Sequence, residues 1–561
     1  MSEEHKPLNF IEEIIEQDLQ EGFPKSSLRF RFPPEPNGYL HIGHAKAIAI
    51  NFGLGQRYNA PVNLRFDDTN PAKEEQEYVD AIKRDIEWLG YKWDKEVYAS
   101  DYFQQLYEWA VELIKEGKAY VDDQSSQLIA EQRKTPQEPG IESPFRTRTI
   151  EENLSLFEGM KNGDFDEGSR VLRAKVDMTS PNMNLRDPVM YRILKKHHHR
   201  TGTDWVLFPM YDWTHGESDY VEQVSHSLCS LEFKPHRPLY DWYLDQVYDD
   251  ELIRPKQREF ARGNVGYMIT SKRKLLKLVE DNLVGGWDDP RMPTISGLRR
   301  RGYTAKSLID FWNQAGVAKR DNLLDPAALD HSVRSHLNSI APRVFVVLDP
   351  LKLTITNYPE DKEEILHIEN NPEDDSSGNR EVPFSKSIWI EKDDFREEAN
   401  RKFFRLKLGG EVRLKGGYII MANDVVKDAD GNVIEVLCTY DEDSKSGSGT
   451  EASTRKVKGT LHWVSANHGL PVSVRLYDRL FTVPQPDKDE DFLQHFNHDS
   501  LEEITAIAEP AVKTLKPEDK VQFQRKGYFC VDKDSTAEML VFNRTVTLRD
   551  TWAKIDNSGE S

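Results

Sequence analysis

Two histidines three positions apart, His41 and His44, stand where an extended run gives way to a helical pattern. Imidazoles at that spacing on a first helical turn can both approach one phosphate, where helix N–H groups already favour an anion. Gly43 between them lets the backbone lie close against a nucleotide, because any Cβ there would obstruct it. A histidine pair near a turn also suits a surface or a metal. The run Pro33-Pro34-Glu35-Pro36-Asn37-Gly38-Tyr39-Leu40 before it, between a strand and a helix, favours nucleotide binding. A second segment, Ile269-Thr270-Ser271-Lys272-Arg273-Lys274, offers hydroxyl and cationic donors for charge developing on a polyphosphate. Alone it reads equally as a solvated basic face. A third, Lys195-Lys196-His197-His198-His199-Arg200, invites a metal. Adjacent residues on one strand or helix cannot all face one ion, so no metal site is expected there.

The elements that must hold these groups follow from periodicity. Residues 28–32 alternate and stop at Pro33-Pro34, 42–56 are helical, 61–66 form a second strand, and 74–89 carry Val79, Ile82, Ile86 and Leu89 on one helical face. Strand–helix–strand–helix at these lengths predicts a doubly wound parallel sheet. A helix over 101–117 has Phe103, Leu106, Ala110, Leu113 and Ile114 as its apolar stripe, and 124–148 is polar and Pro-interrupted, an insertion. Strand character returns at 205–210, and 261–340 is mostly helical. After Pro342 short β runs at 344–348, 351–355, 387–390 and 418–421 are separated by loops rich in Asp, Ser and Gly, which predicts one or two all-β barrels.

Composition bounds the class. The 561 residues carry 75 Lys and Arg against 96 Asp and Glu, a formal charge of −21. That length implies several domains, and 11 Trp, 21 Tyr and 25 Phe exclude global disorder. No apolar run approaches the roughly 18 residues of a membrane span. The acidic amphipathic start is unlike a signal peptide, so a soluble, cytoplasmic protein is expected. Cys229, Cys438 and Cys530 are far apart, without metal-ligand spacing, so neither a zinc ribbon nor a disulfide framework is expected. The negative charge opposes non-specific binding of nucleic acid yet leaves room for a local basic surface.

The first two segments together resemble the two signatures of class I aminoacyl-tRNA synthetases. The stretch from Phe30 to Lys46, Leu64-Arg65-Phe66-Asp67-Asp68-Thr69-Asn70-Pro71, Ser227-Leu228-Cys229-Ser230-Leu231-Glu232-Phe233, Trp287-Asp288-Asp289-Pro290-Arg291-Met292-Pro293-Thr294-Ile295 and Phe542-Asn543-Arg544-Thr545-Val546 narrow the resemblance to the glutaminyl enzymes of the glutamyl/glutaminyl branch. It runs from Asn9 to Ala553. It implies a Rossmann-type catalytic domain over 1–100 and 211–260, an acceptor-stem-binding insertion over 101–210, a helical subdomain with the signature loop over 261–339, two anticodon-binding β-barrels over 340–553, and a flexible tail over 554–561. The implied reaction joins glutamine to ATP as an adenylate, with Mg²⁺ accompanying ATP, and passes the acyl group to tRNA. A monomer without an obligate protein partner is implied.

The family's pattern makes His41, His44 and Lys272 the catalytic residues. ATP is assigned to these three and to Glu35, Pro36, Asn37, Ile42, Gly43, Ala45, Lys46, Ala47, Ser230, Arg262, Gly263, Thr270 and Ser271. Glutamine is assigned to Arg31, Asp67, Tyr211, Cys229 and Gln257. The tRNA is assigned to Lys319, Arg320, Asn322, Arg343, Arg405, Arg413, Lys415, Gln522 and Arg525, with Arg299-Arg300-Arg301 as a further candidate for its inner face. Cys229 stands where the glutamyl branch is expected to carry arginine. Thr270 replaces the usual hydrophobic residue of the signature loop, Pro235 an acidic one near the acceptor stem, and Lys415 an arginine common among anticodon readers. A glutamyl-tRNA synthetase and a non-catalytic tRNA-binding paralogue are the alternatives; a small nucleotidyltransferase would have no use for the β half.

Overall fold

Phe30–Phe32 and Val62–Phe66 are buried at every residue, so alternation gives way to all-apolar or paired-polar strands covered on both faces. They pair in parallel, Phe30 opposite Val62, and Glu96–Tyr98 extends the sheet. A backbone bond from Ser225 N–H to Arg29 O joins this sheet to the parallel pair His226–Ser230 and Lys256–Phe260. The helices Ile42–Tyr58 and Gln76–Trp88 connect the strands, and Val79, Ile82, Ile86 and Leu89 are buried, as their spacing predicts. The computed structural model describes residues 7–72, 75–249, 251–399 and 402–549; the tail expected over 554–561 and Ala553 lie outside them. Contacts divide the chain into two units, Met1–Asn264 with Trp312–Leu324, and Val265–Phe311 with Asp325–Ser561.

In the first unit the polar insertion is more ordered than its composition indicates. Ala119–Asp122, Val171–Ala174, Val189–Ile193 and Leu207–Pro209 form a four-stranded antiparallel sheet. It packs on the Phe103–Lys115 helix, whose Phe103, Leu106, Ala110, Leu113 and Ile114 are the buried stripe. The helix expected from 101 starts at Phe103 because Ala99–Tyr102 is a 3₁₀ turn, closed by the Asp101 carboxylate accepting the Tyr98 N–H.

In the second unit the helices Lys272–Glu280, Ile295–Arg301 and Pro326–Ile340 precede two seven-stranded sheets. The run expected as one strand over 344–348 is interrupted at buried Phe345. Arg343–Val344 pairs with Lys520–Phe523 at one edge of a sheet and Val346–Val347 with Leu501–Ala508 at the other, which closes it into a barrel. The second sheet closes by the same device: Thr460–Leu461 and Val464–Ser465 occupy its two edges, with buried His462 and Trp463 between. Trp463, Phe384, Tyr418 and Phe345 fill its interior. Among the described residues no helix is long and apolar enough to cross a membrane.

Candidate active site and RNA-binding surface

His41 is the N-cap of the Ile42–Tyr58 helix. Its Nδ1 accepts the Gly43 N–H at 3.1 Å, and His44 Nδ1 accepts the His41 N–H at 3.1 Å. With both Nδ1 atoms accepting, each neutral ring carries its proton on Nε2. The rings lie 3.8 Å apart and are tilted by 32°, so the helix start presents two adjacent imidazole donors beside its own N–H groups. A Cβ at Gly43 would sit 3.1 Å from the His41 ring. Ile42 and Ala45 face the core instead, and Lys46 is buried. Its Nζ donates to Ala261 O at 2.8 Å and lies over Trp312, so it fastens the helix rather than reaching outward. Trp312 in turn donates to Ile42 O at 3.1 Å and fills the space any side chain at Gly263 would need. Ser230 and Arg262 meet on one carboxylate, Glu232, and the Arg262 N–H is held by Asp321.

Behind this turn lies a polar core. Tyr211, His215 and Asp219 succeed one another at four-residue spacing on one face of the helix Tyr211–Val221, whose residues from Trp213 to Tyr220 are buried. Asp219, with no exposed surface, accepts from Arg31 at 3.0 Å, Arg65 at 2.6 Å, Ser227 at 2.6 Å and Tyr240 at 3.1 Å. Arg65 also pairs with Glu222 at 2.9 Å. Despite burial, the two guanidiniums hold the Asp219 carboxyl far below the carboxylate range. Arg31 further donates to Leu228 O and Ser227 Oγ, so its donors are engaged by the protein. Burial, with Arg31 and Arg65 nearby, pushes His215 down to about 3 against the pull of Asp219, and burial raises the Cys229 thiol and the Tyr211 phenol. All three are neutral. Two arginines thus face two carboxylates, Asp219 and Glu222, and no uncompensated cation remains.

Asp67 stands at the end of the second strand, its Oδ1 accepting from Thr69 at 3.1 Å. Burial and the Glu35 carboxylate push it up to about 7. Tyr211 stacks on His215 at 5.0 Å and meets Phe233 at 5.3 Å. Gln257 Nε2 donates to Phe233 O and Glu259, and Glu259 is held by Arg237. Of the residues assigned to glutamine, Tyr211 and Gln257 meet at Phe233, and Arg31, Tyr211 and Cys229 are joined through Asp219 and His215, two residues absent from the sequence-based assignment. Their signal was the i, i+4, i+8 polar stripe from Tyr211 to Asp219.

In the second unit Tyr267 takes a positive φ of 63°, its N–H bonded to Pro484 O, and Ile269 anchors the signature loop in a cluster with Leu275 and Leu278. Ser271 is the N-cap and Lys272 the first residue of the Lys272–Glu280 helix. Thr270, just before them, is partly buried.

Arg343 and Gln522 converge on a cleft of about 450 Å³ that His331, Asn338, Gln524 and Tyr528 also line. Gln522 Nε2 donates to Tyr528 OH at 2.9 Å and Arg343 to Asn338 Oδ1 at 2.8 Å. Arg525 grips Asp394 through two bonds, and Arg405 reaches the same carboxylate at 3.4 Å. Arg413 donates to Ser444 O and Ser453 O. The Lys415 carbonyl accepts from Trp463. Lys319, Arg320 and Asn322 are exposed on the first unit. In the Arg299-Arg300-Arg301 run, Arg299 pairs with Glu518 and Arg300 with Asp532.

The histidine run departs from expectation. His197 is exposed, but His198 and His199 both lie by Asp68, their ligand atoms within 4.8 Å of one another. His198 Nε2 is directed at Asp68 O at 2.8 Å and its Nδ1 accepts the Arg200 and Thr201 N–H groups, so that ring braces a turn.

Residues 27–338 match the family model described as tRNA synthetases class I (E and Q), catalytic domain, and 341–441 and 460–532 match the two anticodon-binding domains of the same group. The chain belongs to this family of class I tRNA synthetases. Within it, the chain is 57% identical over 98% of its length to the glutamine–tRNA ligase of Rhodopirellula baltica, covering 91% of that protein. It is 54% identical to those of Vibrio parahaemolyticus and Pseudomonas syringae, over 98% and 97% of this chain and 99% and 96% of theirs.

Proposed function

We propose that the protein is a glutamine–tRNA ligase. It activates glutamine with Mg·ATP to glutaminyl adenylate and diphosphate, then transfers the glutaminyl group to the 3′ end of tRNA(Gln) and releases AMP. The glutamine carboxylate attacks the α-phosphorus, and the Nε2–H groups of His41 and His44 stabilise charge on the α-phosphate oxygens as the P–O bond to the diphosphate breaks. Lys272, behind Ser271 in the signature loop, balances charge on the departing diphosphate. No covalent enzyme intermediate is formed; positioning and electrostatics carry the rate.

Ionised Asp67 receives the substrate ammonium, and the neutral Tyr211 hydroxyl accepts from the side-chain amide, which a carboxylate could not donate. The observation that carries the choice of glutamine is the charge balance around Arg31. With Asp219 and Glu222 neutralising Arg31 and Arg65, a glutamate carboxylate would be buried without a cation. That costs several kcal/mol, and each ~1.4 kcal/mol is tenfold in discrimination. The cleft at Arg343 and Gln522 suits an unstacked anticodon base, read by hydrogen bonds and stacked on an aromatic ring. The enzyme works as a cytoplasmic monomer. Purified protein, Mg·ATP, labelled glutamine and tRNA(Gln) should give stable charged tRNA, with diphosphate exchange weak until tRNA is added. Binding of tRNA without charging would make the protein an RNA-binding relative instead.

A further inference from the structure

Several arginines of the second unit are held by carboxylates, as Arg291 is by Asp289, Arg300 by Asp532 and Arg475 by Glu503. Arg301, Arg479 and Arg544 are not. Among the described residues no carboxylate lies within ion-pair distance of any of the three, in a chain whose formal charge is −21. They line one cavity of about 220 Å³. Arg301 lies over the Tyr477 ring at 5.6 Å, and its buried Nε has no hydrogen-bond partner among the described residues. Arg544 donates to Tyr477 O at 3.1 Å, and burial with the nearby Arg301 charge pulls its guanidinium down. Arg479 covers Tyr267 at 3.9 Å.

Two acids border the cavity. Asp478 is exposed and accepts the Arg479 backbone N–H. Asp330 accepts from Tyr303 at 3.5 Å; burial pushes it up against the pull of the Arg301, Arg334 and Arg479 charges, which it offsets in part. Even with both ionised the three arginines leave a net positive charge.

We propose that this cavity is a binding site for a phosphate group, separate from the adenylate-forming site. A tetrahedral anion among three guanidiniums accepts several charge-assisted hydrogen bonds, supplies the partner that Arg301 Nε lacks, and relieves repulsion between Arg301 and Arg544. The same chemistry comes from a free phosphate or diphosphate, or from a phosphodiester of RNA. Because Arg479 rests on Tyr267, five positions before Lys272, an anion that draws Arg479 inward loosens the segment leading into the signature loop.

The test is calorimetric titration of diphosphate into the full-length protein at low ionic strength, for the wild type and an Arg301→Gln/Arg544→Gln variant. The wild type should show two classes of site, and the variant should lose one or bind it at least tenfold more weakly while the other is unchanged. Should the double variant melt early, Arg479→Gln at the exposed rim gives the same reading. Displacement of only the arginine-dependent class by added tRNA assigns the site to an RNA phosphodiester; retention of both classes assigns it to the free anion. A single class of site, unaffected by the substitutions, overturns the proposal.

Discussion

At His41 and His44 the protonation pattern is dictated by the helix N-terminus itself, since Gly43 N–H and His41 N–H each claim an Nδ1. Removing one imidazole, as in His44→Ala, should lower the rate of adenylate formation by about 10²-fold or more. Thermal stability should change little, and single-turnover AMP release reads the difference. Asp67 sets a pH dependence. Its carboxyl, raised to about 7, must be ionised to hold an ammonium, so kcat/KM for glutamine should be full above that value and fall as the pH drops through it. Asp67→Asn should be slow at every pH and lack this inflection. Cys229 is the fourth residue of consequence. A guanidinium introduced by Cys229→Arg would lack a free carboxylate among Asp219 and Glu222, so preference should move toward glutamate, seen as a fall of tenfold or more in the ratio of glutamine to glutamate charging.

Elements position these residues through contacts of unequal legibility. The parallel strands and the Val79, Ile82, Ile86 and Leu89 stripe were readable because a local period expresses a long-range burial. The Tyr211, His215, Asp219 spacing was readable too, but its burial was not, since three polar groups at helical period usually mark a solvated face. The antiparallel sheet within 119–209 was hidden by strands of three to five residues joined by long loops. The breaks at Phe345 and at His462-Trp463 were hidden because barrel closure is decided by distant partners. Glu391 is one such partner. It accepts from Leu348 N–H and pairs with His462 and Lys526, which hold it down to about 2 although burial would raise it. Its unfolded value lies near 4.5, so this stabilisation is present above that pH and is lost as the pH falls toward 2. The loss is about 3 kcal/mol at most, and Glu391→Gln should flatten the acid limb of the stability curve. Gly263→Val should press on Trp312, lowering stability by about 1–3 kcal/mol and raising KM for ATP through the displaced Ile42 carbonyl.

For the molecule as a whole, a charge of −21 and an RNA substrate are reconciled by locality. Cations such as Arg405 and Arg525 are fixed around Asp394, and exposed Lys319 and Arg320 stand on the first unit. Binding through a limited set of phosphate contacts should weaken steeply with salt. About 10²-fold loss of tRNA affinity is expected between 50 and 200 mM, while non-cognate RNA is repelled by the acidic remainder. The most direct measurement is charging of tRNA(Gln) and tRNA(Glu), each offered labelled glutamine and labelled glutamate in parallel. Glutamine on tRNA(Gln), with glutamate disfavoured by about 10³-fold or more, is the expected result. Glutamate joined to either tRNA at a comparable rate would contradict it, because the pocket around Arg31 would then hold a carboxylate that the balance of Arg31, Arg65, Asp219 and Glu222 leaves without a partner.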